Sequence, residues 1–245
     1  MHALYTVSRL LDYPDASLWD DQKDLRALVQ ESSLPASARE RLLAFMDRRL
    51  ADPAALMQWQ ADYDGLFERG RSVSLWLFEH VHGESRDRGQ AMVDLMAEYR
   101  RAGLEIDQKE LPDFLPLFLE FLATQGDENA QSWLLEVEAI LATLLCRLEQ
   151  RHSDYADLLY VLLEAAGSRL SLDPIRESLR NEQRDDTREA MDKVWEEEMV
   201  TFGVGDAQDS CASAPGRRSP AGAAGQDYVP VQWVDFNRQR PEQVN

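Results

Sequence analysis

The chain has 245 residues, a formal net charge of -19 and a sequence pI near 4.6, with 44% hydrophobic residues. That apolar content is enough for a sizeable core and excludes wholesale disorder. So acidic a balance argues against nucleic acid and anionic membrane surfaces as partners, and makes basic or amphipathic peptides the natural charged ones.

In chain order, the first element is a helix that Tyr13-Pro14 closes. Its start, MHALYTVSRLLDYP, has neither the basic nor the apolar region of a signal peptide, and no apolar run is long enough to span a membrane, so the expected compartment is the cytoplasm. Ser37 with Glu40 reads as a capping box before RLLAFM, and Asp52-Pro53 as a cap before a proline. Leu56, Trp59, Tyr63, Leu66 and Phe67 share one helical stripe.

The segment FEHVHGESRDRGQAMVDL, residues 78 to 95, is the densest in chemistry. His80 and His82 look like ligands, yet two residues apart on a helix they point about 200° apart. A metal site is not expected, and none of the cysteines forms a Cys-x-x-Cys pair. The spacing predicts instead a buried helix carrying Val73, Leu75, Trp76, Leu77, Phe78 and Val81, ended at Gly83, with Ser85 capping the next helix. Met92, Leu95, Met96 and Tyr99 give that next helix its apolar face. The crowded charges of Glu79, Glu84, Arg86, Asp87 and Arg88 suit a salt-bridge network or a polar rim around a groove.

Further along, Pro116 fits a helix whose N-cap is Asp113, making Glu110 to Asp113 an ordered turn. Trp133, Val137, Ile140, Leu141, Leu144, Leu145 and Leu148 form one long stripe, with Cys146 buried in it. Tyr155, Leu158, Leu159, Leu162 and Leu163 form another, and Asp173-Pro174 opens a later helix. RDDTREAMDKVWEEEMVTF has seven acids between Asp185 and Glu198 while Met191, Val194, Trp195 and Met199 keep one apolar face. It reads as a surface helix, or as an acidic rim near a groove. From Gly203 the periodicity stops and glycine and proline concentrate. Residues 203–245 are therefore expected to be a flexible tail, with Cys211 an exposed thiol and Tyr228 to Trp233 a loosely packed patch or a docking segment. The fold class expected is all-α: a single-domain helical bundle of about ten helices over residues 1–202. Enzyme signatures such as a phosphate-binding glycine loop or a nucleophile elbow are absent.

Four stretches together carry a resemblance: SRLLDYPD (Ser8 to Asp15), YDGLFERGRSVSLWLFEHVHGESRDRGQAMVDL (Tyr63 to Leu95), ELPDF (Glu110 to Phe114) and RDDTREAMDKVWEEE (Arg184 to Glu198). They resemble the assembly chaperones, or delta subunits, of respiratory nitrate reductase, within the wider family of redox-enzyme maturation chaperones for molybdoenzymes. The resemblance runs from the N-terminus to about Phe202. It implies a helical fold without catalysis or a bound cofactor. It implies binding of the N-terminal peptide of the apo catalytic (alpha) subunit, support of molybdenum-cofactor insertion, and prevention of premature docking on the membrane anchor. Molybdenum-cofactor biosynthesis proteins are further candidate partners; direct binding of a metal or of the cofactor itself is the alternative. By position, the family's substrate-binding segments fall on Glu110, Pro112 and Asp113 and on His80 through Arg88. Leu66, Phe67 and Trp76 are the expected apolar walls of the groove or else simply core residues, and His82, Arg86, Arg88, Glu110 and Asp113 are its exposed rim. The family commonly has histidine after the Pro-Asp pair, where this chain has Phe114.

Overall fold

The computed structural model describes residues 1–81, 86–106, 110–190, 192 and 193, and at 86 and 87 the backbone alone. Ten α-helices run through them: α1 (Ala3–Leu11), α2 (Ser17–Gln30), α3 (Ala36–Arg49), α4 (Leu56–Tyr63), α5 (Arg86–Arg101), α6 (Leu115–Thr124), α7 (Asp127–Glu136), α8 (Glu138–Gln150), α9 (Ala156–Ala166) and α10 (Asp173–Leu179). No strand occurs among the described residues, so the expected all-α class holds. Cys146 is buried in α8 as expected. Gly83, Ser85, Met191, Val194, Trp195, Met199, Cys211 and Tyr228 to Trp233 lie outside the described residues.

α9 is the centre of the bundle. Leu158, Leu159, Val161, Leu162 and Ala166 are buried, because α3, α7 and α8 pack around it. A helix apolar on nearly every side has to be enclosed in this way. It stops at Gly167, whose φ of 67° is the left-handed conformation that closes a helix, and a Cβ there would meet Gln131 Nε2 at 2.9 Å. The second centre is the pair α1 and α6. Leu4, Val7, Leu10 and Leu11 are fully buried, as are Leu115, Leu119 and Leu122 opposite them. Ser8 interrupts the apolar face of α1, and its buried hydroxyl donates to the Pro116 carbonyl at 2.7 Å.

Several local expectations change in the structure. The stripe from Trp133 to Leu148 is two helices, because the backbone turns at Val137 (φ -101°, ψ 5°). The turn lets both α7 and α8 lay an apolar face on α9. Ser37 forms no capping box: Pro35 stands at the N-cap of α3 and the Ser37 hydroxyl donates to Glu164 of α9. A tertiary partner displaces the local one. Asp52 does act as expected, accepting from Ala54 N at 2.9 Å. Asp173 is the first residue of α10 rather than its cap, and bonds Arg176 at 3.1 Å.

The largest change concerns residues 71 to 81. They do not form a helix; an extended stretch leads into a short 3₁₀ turn, Leu77–His80. Val73, Leu75 and Leu77 are buried while Trp76 and Phe78 are half-buried and Val81 is exposed. Ser74, between Val73 and Leu75, is buried as well, so burial here follows no helical stripe. The stretch pairs with the turn before α6 through an antiparallel bridge between Trp76 and Phe114. Leu77 N donates to Asp113 O at 2.9 Å and Leu115 N to Leu75 O at 2.8 Å.

A buried ion-pair clip holds the start of this stretch. Arg151, 3% exposed, lies 3.1 Å from Asp185 and 3.7 Å from Asp186, and donates to the Ser72 hydroxyl at 2.7 Å. Asp185 accepts from Ser72 N at 2.7 Å. Burial works against its charge, yet the Ser72 hydrogen bonds and Arg151 leave its pKa below the usual value. A Cβ on Gly70 would meet Asp185 Oδ1 at 2.5 Å, so a side chain there would push the carboxylate off Ser72 and Arg151. Asp185 and Asp186 thus turn inward and form no acidic rim.

Candidate functional site

The segments singled out in the sequence touch one another through the stretch that begins at Tyr63. The Tyr63 hydroxyl donates to the Leu11 carbonyl at 3.1 Å, joining α4 to the end of α1, and Tyr13 stacks edge-on against Tyr63 at 5.5 Å. A π-turn, Asp64–Glu68, continues α4. Phe67 is buried in it, 4.8 Å from the Tyr63 ring and 5.0 Å from Tyr155. It belongs to the aromatic core, not to a groove wall. Leu66 is half-buried and faces a cleft shared with Arg49, His152 and Tyr155.

Trp76, Arg88, Pro112 and Asp113 do come together. Trp76 stacks on Phe114 at 5.5 Å. The Tyr99 hydroxyl of α5 donates to the Pro112 carbonyl at 2.7 Å. Asp113 is fully buried, so it is neither the exposed rim charge nor the helix cap expected; Phe114 caps α6. Asp113 Oδ2 accepts from Phe78 N at 3.0 Å and lies 3.9 Å from Arg88, which lies 3.5 Å from Glu79. Burial raises the Asp113 pKa, while the Phe78 N–H and the Arg88 guanidinium pull it back. Its side chain is committed to holding the 3₁₀ turn on the start of α6.

Three buried polar atoms here have no hydrogen-bond partner in the protein: Trp76 Nε1, Arg88 Nε and Asp113 Oδ1. Only two others occur among the described residues, so the cost of unmet hydrogen bonding is concentrated at this spot. Above it lies α5, where Leu95 and Tyr99 are the only buried side chains among those described. Both belong to the C-terminal half of the helix.

His80 sits beside this cluster. Its Nε2–H donates to the Ser74 carbonyl at 2.8 Å, and burial lowers its pKa. The His80 ring, Glu79 and Val81 line one side of a cleft of about 630 Å³; Ile140 and Arg147 of α8 line the other. Arg147 donates to the Ser72 carbonyl at 2.8 Å and pairs with Glu182. His82 lies outside the described residues, and Arg86 is the first residue of α5. Among the described residues no group of three His, Cys, Asp or Glu could hold a metal ion.

Glu110 is exposed at the edge of the site. Its pKa is raised, first by partial burial and then by the carboxylates of Asp12 and Glu68. The end of α1, the π-turn and the turn before α6 therefore bring three acids within reach of one another. Tyr99, Ser74 and Arg151 carry structural work here that the sequence reading missed. Tyr99 was legible only as an apolar-face residue, and nothing in the local sequence marks the other two.

Residues 31–161 match the model of the nitrate reductase delta subunit family. The chain is 46% identical over 237 residues to an Escherichia coli K12 protein, nitrate reductase molybdenum cofactor assembly chaperone NarJ, covering 94% of this chain and 98% of that one. It is 44% identical to the protein named probable nitrate reductase molybdenum cofactor assembly chaperone NarW of the same organism, over 97% of this chain and 98% of that one. With the Bacillus subtilis 168 protein named probable nitrate reductase molybdenum cofactor assembly chaperone NarJ the identity is 36%, over 65% of this chain and 85% of that one. Among the described residues no helix is long and apolar enough to cross a membrane. On this match, and on similarity that spans nearly the whole chain, the protein belongs to the nitrate reductase delta subunit family.

Proposed function

We propose that this chain is a client-specific assembly chaperone of respiratory nitrate reductase with no catalysis of its own. It binds the N-terminal peptide of the apo catalytic subunit in the cytoplasm. It keeps that subunit competent for molybdenum-cofactor insertion and delays its docking on the membrane anchor. The names of the relatives support the role. The observation that carries the peptide-binding part is the buried cluster of Trp76, Arg88 and Asp113, with three unmet polar atoms beneath a lightly anchored helix. Such a cluster suits a partner that brings its own polar groups, as a peptide backbone or side chain does.

The client surface is assigned to Trp76, His80, His82, Arg86 and Arg88 together with Glu110, Pro112 and Asp113. Phe67 supports it only from within the aromatic core, and Leu66 faces the separate cleft at Arg49. The acids Asp12, Glu68 and Glu110, and a net charge of -19, favour a client peptide bearing lysine or arginine. Residues 1–202 are the binding unit and residues 203–245 are accessory to it.

Calorimetric titration with a peptide from the N-terminus of the catalytic subunit tests this. Binding should weaken as salt rises, since exposed charges are screened, and a chain ending at Phe202 should bind as the full chain does. Absence of binding by the folded full chain sinks the reading.

A further inference from the structure

We propose that Arg88 is a built-in occupant of a cation site, and that a lysine or arginine of the bound peptide replaces it. The inference rests on the client-peptide reading above and adds to it a mechanism of entry and a required chemistry.

The charges define the site. Asp113 is 0% exposed and Glu79 27%, and both face the Arg88 guanidinium. A buried carboxylate needs a counter-charge or it is strongly destabilising. Arg88 supplies that charge, but at 3.9 Å from Asp113 and 3.5 Å from Glu79. A charge-assisted N–H···O bond closes to about 2.7–2.9 Å. Arg88 therefore neutralises the site without saturating it. The atoms agree: Asp113 Oδ1 and Arg88 Nε, an acceptor and a donor in one ion pair, are both buried and both unbonded.

The mounting of Arg88 explains how it can leave. It stands in the first turn of α5, and from Gly89 to Asp94 no residue is buried. A Cβ on Gly89 would meet nothing within 4 Å. The helix is anchored further on, by Leu95 and Tyr99. A segment with so little buried surface opens at low cost. Asp113, by contrast, is fixed by Phe78 N and by its place at the start of α6. The acceptor half of the site is rigid and the donor half is loosely held.

The exchange conserves charge: two carboxylates face one cation before it and after it. A neutral peptide segment would leave Asp113 buried and uncompensated once Arg88 withdrew. The latch therefore selects for a cation, held on a side chain long enough to reach beneath α5. Trp76 Nε1–H, the third unbonded atom, is then available to a carbonyl of the same peptide.

Titration of the full chain with two client peptides tests the exchange, one carrying its native lysine or arginine and one with those residues replaced by glutamine. Arg88→Gln removes the competitor and should tighten binding of the basic peptide by roughly five- to tenfold, with no gain for the neutral one. Weaker or unchanged binding of the basic peptide by folded Arg88→Gln overturns the inference and makes Arg88 a direct contact or a bystander. Amide hydrogen exchange on the unmodified chain gives a second reading that no folding defect can disturb. Exchange across residues 88–94 should speed up when the basic peptide binds. Equal or slower exchange there overturns the inference as well. If the unmodified chain binds neither peptide, it is the client-peptide reading that fails.

Discussion

The α9 core and the Asp113 site obey opposite rules. Around α9, α3, α7 and α8 enclose leucine, valine and alanine side chains. At the site, a fully buried carboxylate, a half-buried tryptophan and an arginine leave three polar atoms unbonded under a helix with two buried anchors. The core is built to have no alternative arrangement. The site keeps interactions in reserve. The contrast separates what holds the molecule together from what it offers to a partner, and mutations should show it.

The largest effect belongs to the core. Leu162→Ala removes a fully buried side chain from the central helix and should cost about 2–5 kcal/mol. Chemical denaturation measures it. A loss under 1 kcal/mol would mean that α9 is not the keystone the packing makes it.

The next effect tests the clip between these regions. Gly70→Ala places a methyl against Asp185, whose carboxylate ties Ser72 and Arg151 together. Overpacking of this kind costs about 1–3 kcal/mol. If Gly70→Ala leaves thermal stability unchanged, the clip does not hold the extended stretch in solution.

How much of this was legible in the sequence follows the same division. The core was, because α9 advertises itself by period and composition alone. Leu158, Leu159 and Leu162 fall on one face, and that pattern has one physical outcome. The site was legible only as a list of positions. Residues 73 to 81 suggest a helix because six of the nine are apolar, and a short, mostly apolar run does not declare its period. Asp113 was read as a cap because a cap and a buried hydrogen-bond acceptor use the same carboxylate. Which one it becomes depends on Phe78, 35 residues away. Arg151 with Asp185 is likewise a pairing across 34 residues, and no local signal predicts it.

A smaller effect lies with His80, on the border of the two regions. Burial lowers its pKa in the folded chain. An unfolded histidine titrates near 6.5, so as pH falls through that value the unfolded chain takes up a proton that the folded chain resists. Stability should therefore be full above about pH 7 and decline below about 6.5. Asp113 and Glu110 shift the other way, burial raising their pKa values, so they oppose this trend, and His80→Gln is needed to isolate the histidine. Melting temperature followed from pH 7.5 to 5.5 should fall, and His80→Gln should flatten the slope. An unaltered slope in His80→Gln would place the pH sensitivity in other groups.

The smallest effect on stability, and the most informative about binding, is at Glu110. It lies at the surface near Asp12 and Glu68, and its pKa is raised first by partial burial and then by their like charges. Removing an exposed acid that stands near two others should change stability by no more than about 0.5 kcal/mol, and in the favourable direction. A core residue never behaves so, since its loss always leaves a void. Binding should move the opposite way. If the three acids attract a basic peptide, Glu110→Gln lowers the field that draws it in, and affinity should drop several-fold at low salt and little at high salt. Glu110→Gln therefore separates two sources of attraction: the exposed acids, which salt screens, and the buried Asp113, which salt hardly reaches. Calorimetry at two ionic strengths decides it. An affinity loss that persists undiminished at high salt would mean that Glu110 bonds the peptide directly. No loss at either salt concentration would remove these acids from the binding face.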